Sequence, residues 1–273
     1  MGFHHKYKFF VLCLMLFCKT DEEVGYLRES ALLVSRTLAE VAKLIRPGVS
    51  TIYLDKIAEE FIRDNGAVPG FKGYNKFPAT LCTSVNEEVV HGVPSDYQLK
   101  EGDIISIDCG VILKGWYGDS AYTFGVGEIS DDNKRLLEYT KASLDEGVKK
   151  AISGNRVGDI SYAVQSKAES GGFTVVRDLV GHGIGKKLHE RPNVPNFGKR
   201  GSGPKLKKGL VICIEPMINA GSKETRQMKD GWTVKTVDGK PSAHYEYVVA
   251  VDKHKANVLT TFEYIEEVLY KGN

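Results

Sequence analysis

Thr20 and Glu23 stand in the T-x-x-E relation of a capping box, so a helix is expected to begin near residue 20. Apolar or small residues then recur at helical spacing, at Val24, Leu27, Ala31, Leu32, Ser35, Leu38, Ala39, Ala42 and Ile45, until Arg46-Pro47-Gly48 stops the run. A second helix is predicted from about Ser50, with Leu54, Ile57, Ala58, Phe61 and Ile62 on its apolar side and Asn65-Gly66 at its end. From Leu81 the period changes. Residues 99–110 read as a turn followed by a strand and 116–124 as a second strand, with Gly115 and Gly118 marking bends between and within them. Helical patterning returns over 131–152 and again through Ile160, Ala163, Val164 and Ala168. Strand-like pieces follow at 210–216, 233–237 and 244–251.

That order contains an internal repeat. Leu99-Lys-Glu-Gly-Asp-Ile-Ile-Ser-Ile-Asp108 and Leu206-Lys-Lys-Gly-Leu-Val-Ile-Cys-Ile-Glu215 share LK-x-G, an apolar stretch, and a terminal Ile-carboxylate, offset by 107 residues. The helix through Leu54, Ile57 and Ala58 has its counterpart at Ile160, Ala163 and Val164, at nearly the same offset. A long period repeated twice predicts two similar α+β halves facing each other, with Asp108 and Glu215 brought together at a pseudo-two-fold axis.

The chain has 273 residues, enough for one large domain or two small ones, with 42% apolar and 26% charged residues, the balance of an ordinary globular protein. A net charge of +2 gives no bulk argument for a nucleic-acid partner. The local exception is 186–208, with Lys186, Lys187, Arg191, Lys199, Arg200, Lys205, Lys207 and Lys208. That loop reads either as a solvated face or as a contact for an anionic partner such as ribosomal RNA. Five cysteines without a CxxC pair argue against a disulfide framework or a zinc finger and fit a reducing compartment. The run FFVLCLMLFC at 9–18 is too short to span a bilayer and lacks a small-x-small cleavage site after it. Residues 1–19 are therefore read as an N-terminal extension or weak signal-like segment, with translation starting at Met15 favoured. Residues 20–273 are expected to form one catalytic domain, its halves at about 20–125 and 126–270.

Four acidic residues lie in strand-like apolar sequence: Asp108, Asp119, Glu215 in VICIEPM, and Glu246 in HYEYVVAV. A buried carboxylate is costly unless paired, hydrogen-bonded or bound to a cation, and four separate salt bridges are an improbable answer. His182, in GHGIG, supplies a nitrogen ligand. The same string fails the spacing of a phosphate loop, with Lys187 where a magnesium-binding Ser or Thr should stand. Four carboxylates and one imidazole suit two divalent cations, and hard oxygen donors favour manganese, iron or cobalt over a thiolate-type zinc site. Paired metals roughly 3.5–4 Å apart can hold a hydroxide nucleophile and polarise a carbonyl at once, the requirement for amide hydrolysis.

With these residues in view, NEEVVHG, IDCGVILKGWYGDSA, GHGIG, IEPMINAG, MKDGWTVKT and SAHYEY resemble, in order, the motifs of type I methionine aminopeptidases in the bacterial form without an N-terminal extension. The resemblance runs from about residue 19 to 251 and implies the pita-bread fold, two pseudo-two-fold-related halves with a central antiparallel sheet. It implies metal ligands at Asp108, Asp119, His182, Glu215 and Glu246, with Asp119 and Glu246 bridging two divalent ions (cobalt, manganese or iron, with zinc or nickel as further candidates). By the same resemblance Glu215 is the proton acceptor, and His91 and His189 donate hydrogen bonds to the substrate amide and the oxyanion. Tyr74, Phe77, Cys82 and Trp232 would form the methionine pocket, with Phe71 nearby. The implied substrate is the N-terminus of nascent polypeptides with a small second residue, acted on in the cytoplasm by a monomer. Departures from many relatives stand at Asn75, Leu188, His244 and Tyr247; they bear on fine substrate preference and on the groups around the metal ligands, but replace none of the ligands. Cys109 and Cys213 read as small buried hydrophobes. Two rivals remain: an Xaa-Pro peptidase of the same fold, and a non-enzymatic protein that holds RNA or a protein partner through the basic loop.

Overall fold

The computed structural model of the chain describes residues 16–271. Met15 and residues 9–15 of the apolar run lie outside the described residues. Among the described residues, no helix is long and apolar enough to cross a membrane.

The sequence repeat is a repeat of hydrogen bonding. Gly48 N–H donates to Leu99 O at 2.7 Å and Leu99 N–H to Val49 O at 2.9 Å; Gly154 N–H donates to Leu206 O at 3.1 Å and Leu206 N–H to Asn155 O at 2.8 Å. The antiparallel bridge Ser50–Gln98 has its partner in Arg156–Lys205. Gly102 and Gly209 turn the chain at φ +87° and +85°, a region where a Cβ is disfavoured, and strands follow from Ile104 and Val211. Helices α2 (Thr51–Asp64) and α4 (Val157–Ser170) occupy matching places, 14 residues each.

In the first half, the long strand Ile104–Leu113 is flanked on one side by Trp116–Gly125 and on the other by Leu81–Val85 and Val68–Pro69. In the second, Val211–Ile214 lies between Tyr247–Ala250 and Val180–Gly183, with Asn257–Val258 and Glu190–Pro195 outside them. Every pairing in these two sheets is antiparallel. The largest apolar cluster takes Leu38, Leu54, Ile107 and Phe124 from one half and Ile160, Ile212 and Val249 from the other.

Helix α1 (Asp21–Ala42) opens on the capping box: Glu23 N–H donates to Thr20 Oγ1 at 3.2 Å and Thr20 N–H to Glu23 Oε2 at 2.9 Å. Its buried face is broader than its spacing predicts, taking in Leu33, Val34 and Val41 while Leu32 stays half-buried. Gly118 is a correction. It bends nothing, but lies in a regular strand where a Cβ would stand 2.6 Å from Ser30 C, so its lack of a side chain lets α1 lie on the sheet. Helix α3 (Asp131–Val148) ends before residue 152, and a short C-terminal helix α5 (Glu263–Lys271) was not anticipated.

Candidate metal centre and adjoining pocket

The antiparallel hairpin sets Asp108 opposite Ala121 and Asp119 opposite Gly110, so the two carboxylates are diagonal neighbours on one face. In the other half Tyr247 faces Ile214; one residue further, that register sets Glu246 opposite Glu215. The halves are stitched together at this point. Glu246 N–H donates to Ala121 O at 2.9 Å, and Ser120 Oγ donates to Glu246 O at 2.7 Å. His182, on the strand Val180–Gly183, places Nε2 3.4 Å from Glu215 Oε1 and 3.8 Å from Asp119 Oδ2. Its Nδ1 lies 3.0 Å from Gly183 O, which leaves Nε2 for the carboxylates.

Burial dominates the electrostatics of the cluster. Burial pushes Asp119, Glu215 and Glu246 well above the usual carboxylate range, reinforced by their neighbours' charges, and burial raises Asp108 to about 6. Burial also keeps the imidazoles neutral, lowering His182 to about 3 and His91 to about 4. Asp108 Oδ1, Asp119 Oδ1 and Glu246 Oε1 are buried without a hydrogen-bond partner among the described residues. Buried carboxylate oxygens without partners, facing one imidazole, are the donor set a divalent cation satisfies. Donor atoms of Asp119, His182, Cys213 and Glu246 all lie within 4.8 Å of one another. Cys213 is fully buried, as its sequence suggests, yet its sulfur belongs to this group.

A cavity of about 370 Å³ opens on the cluster. It is lined by every residue singled out from the sequence: Tyr74, Phe77, Cys82, His91, Asp108, Asp119, His182, His189, Glu215, Trp232 and Glu246. Phe77 meets Trp232 edge-on, with centroids 5.1 Å apart. Tyr74 Oη lies 2.7 Å from His189 Nδ1, and the His189 ring stands 4.3 Å from that of His182. Phe71 lies against Gly110, where a Cβ would come 2.4 Å from its ring. Sequence reasoning missed Val90, Asp178, Leu179, Val180 and Met217 among the lining residues. Of the departures, Asn75 and Leu188 line the cavity and Tyr247 stacks on Phe262 elsewhere. His244 also lines the cavity, with its Nε2 3.6 Å from Glu215 Oε2, so this departure bears on the surroundings of a ligand-type residue.

Residues 25–253 match the sequence profile of metallopeptidase family M24. Methionine aminopeptidase 1 of Bacillus subtilis (strain 168) is 51% identical over 246 residues, covering 90% of this chain and 99% of that protein. The chain belongs to the methionine aminopeptidases of family M24. The crystal structure of methionine aminopeptidase from Rickettsia prowazekii superposes with a TM-score of 0.89 at 40% identity, covering 90% of this chain and all (100%) of that one. An Xaa-Pro dipeptidase from Bacillus anthracis shares the pita-bread fold at 23% identity and TM-score 0.71, but the match covers only 62% of that chain.

The protonation pattern carries a prediction for the metal-stripped protein. Burial raises the carboxylates and lowers the histidines, and above the ordinary histidine value of about 6.5 the imidazoles are neutral folded or unfolded, so there the raised carboxylates alone among these groups favour a proton in the folded chain. The folded state then binds more protons than the unfolded, so stability falls as pH rises. The Tm of stripped protein is expected to fall as pH rises above the histidine range. Manganese, which requires deprotonated ligands, should abolish or reverse that slope. A stripped-protein Tm that climbs there would mean the carboxylates are already ionised.

Proposed function

We infer that this chain is a metal-dependent methionine aminopeptidase, hydrolysing the initiator methionine from nascent proteins whose second residue is small. The observation that carries the reading is the convergence of five ligand-type side chains and the pocket residues on one cavity at the joint of the two halves. Asp108, Asp119, His182, Glu215 and Glu246 would hold two divalent ions; hard donors with one nitrogen favour manganese, iron or cobalt, with zinc or nickel as alternatives. When bound, such ions activate water and polarise the scissile carbonyl.

The rest falls to the protein's own groups. Tyr74, Phe77, Cys82 and Trp232 take up the methionine side chain, whose polarisable sulfur makes favourable contacts with aromatic rings. Glu215 accepts the proton of the attacking water. We assign the Tyr74 hydroxyl, 2.7 Å from Nδ1 of His189, as the donor of that pair, which puts the ring's proton on Nε2, free to donate toward the developing oxyanion. His91, neutral by burial, donates to the substrate amide. An Xaa-Pro specificity is the less favoured reading, since the similarity to such enzymes is one of fold alone. A non-enzymatic role is disfavoured by the intact ligand set. The basic segment 186–208, which carries the strand Glu190–Pro195 and so is not the plain loop its sequence suggests, is read as a weak contact for the ribosome, and the enzyme as a cytoplasmic monomer acting as chains emerge.

The test is turnover of a Met-Gly peptide by protein stripped of metal and then reloaded. Activity should vanish on stripping and return with manganese or cobalt. Turnover indifferent to a strong chelator would refute the metal-dependent reading.

A further inference from the structure

Glu215 sits between two imidazoles. Its Oε1 is 3.4 Å from Nε2 of His182, and its Oε2 is 3.6 Å from Nε2 of His244. His182 already has a place in the site; His244 has none. It is 1% exposed, and neither ring nitrogen has a hydrogen-bond partner among the described residues. A buried imidazole left in that condition is unfavourable unless a partner answers it in the working state. Its backbone is pinned. His244 N–H donates to Thr123 Oγ1 at 2.9 Å, and Thr123 Oγ1 donates to His244 O at 2.8 Å. Pairing of Ser242–His244 with Met217–Asn219, His244 opposite Met217, sets the ring on the wall of the metal cavity. The side chain is thus built in place, and the nearest anionic atom is an oxygen of Glu215.

We propose that His244 is a positioning residue for the metal centre. In the metal-loaded protein its Nε2–H donates to Glu215 Oε2, holding the carboxylate in the orientation that turns Oε1 toward His182. A small rotation of the Glu215 side chain closes the present 3.6 Å to a hydrogen bond. Groups that orient a metal ligand in this way typically change metal affinity or activity by about 10–100-fold when removed. The inference rests on the reading of Glu215 as a ligand.

The test is titration of metal-stripped protein with manganese by calorimetry, for the wild type and for His244→Leu, His244→Asn and His244→Gln. Leucine removes the donor, asparagine is one methylene too short to reach, and glutamine keeps an N–H at a similar distance. Leucine and asparagine should weaken manganese binding by about 10–100-fold, with glutamine restoring most of the affinity. At saturating manganese the loss should appear in kcat on a Met-Gly peptide, with KM little changed. Where leucine lowers the folded yield, asparagine carries the same comparison. Wild-type affinity in the leucine and asparagine variants overturns the proposal. So does a glutamine variant as weak as leucine, which would mean the imidazole acts as a ligand itself. Failure of the wild type to take up manganese would instead overturn the metal reading of the whole site, and this inference with it.

Discussion

Asp119→Asn is expected to lower turnover of a Met-Gly peptide by more than about 100-fold, the upper end of what even outlying partners of a metal ligand cost. Asn keeps the volume and shape of the side chain but removes the charge on an oxygen pair placed among Asp108, Glu246 and His182. The fold should survive, and for a reason that separates this variant from ordinary damage. In the metal-free chain Asp119 is buried at 4% exposure, and burial together with Glu246, Asp108 and Glu215 opposes its ionisation. Removing that group relieves a cost, so the stripped variant should melt at or above the stripped wild type. Lost activity with undiminished apo stability marks a residue kept for its chemistry. Wild-type turnover at saturating manganese or cobalt would dismiss Asp119 as a ligand.

The second large effect concerns the substrate side chain. Peptides beginning with Met should be cleaved with about 10–200-fold higher kcat/KM than those beginning with Leu, the discrimination one misplaced methylene brings in an apolar pocket. The wall is rigid on the side that matters. Phe77 and Trp232 meet edge to face at 5.1 Å, Cys82 is buried beside them, and Phe71 is seated on Gly110 with no space for a Cβ between. An unbranched thioether can thread such a slot, whereas a γ-branched side chain meets its walls. A peptide beginning with Lys should fare worse still, by about 1,000-fold against Met, because its ammonium would enter an apolar pocket without a partner. Equal rates on the Met, Leu and Lys peptides would remove the pocket assignment, whatever the metal content.

The five ligand-type residues and the two halves were legible in the sequence for the same reason. Each carboxylate stands where an apolar strand makes a charge conspicuous, and the LK-x-G turn before Asp108 and before Glu215 recurs with its glycine in the left-handed region. The capping box at Thr20 and Glu23 was equally local, and both its hydrogen bonds form. What could not be read was set by contacts distant in the chain. Gly118 resembles a bend in sequence, and only the approach of Ser30, 88 positions earlier, explains its missing side chain. Leu179 and Met217 pass for core residues until closure of the two halves turns them toward the cavity. His244 stands two residues from Glu246, yet its relation to Glu215 depends on strand register and so appeared only as a departure from relatives.

The pair of cations proposed where the halves meet can be observed directly by anomalous diffraction from crystals grown with manganese. Two peaks, both within coordinating reach of Asp119 and Glu246 and flanked by Asp108, His182 and Glu215, are the result predicted. No peak at this joint, or manganese bound elsewhere while the crystals' protein still cleaves Met-Gly peptides, would contradict it.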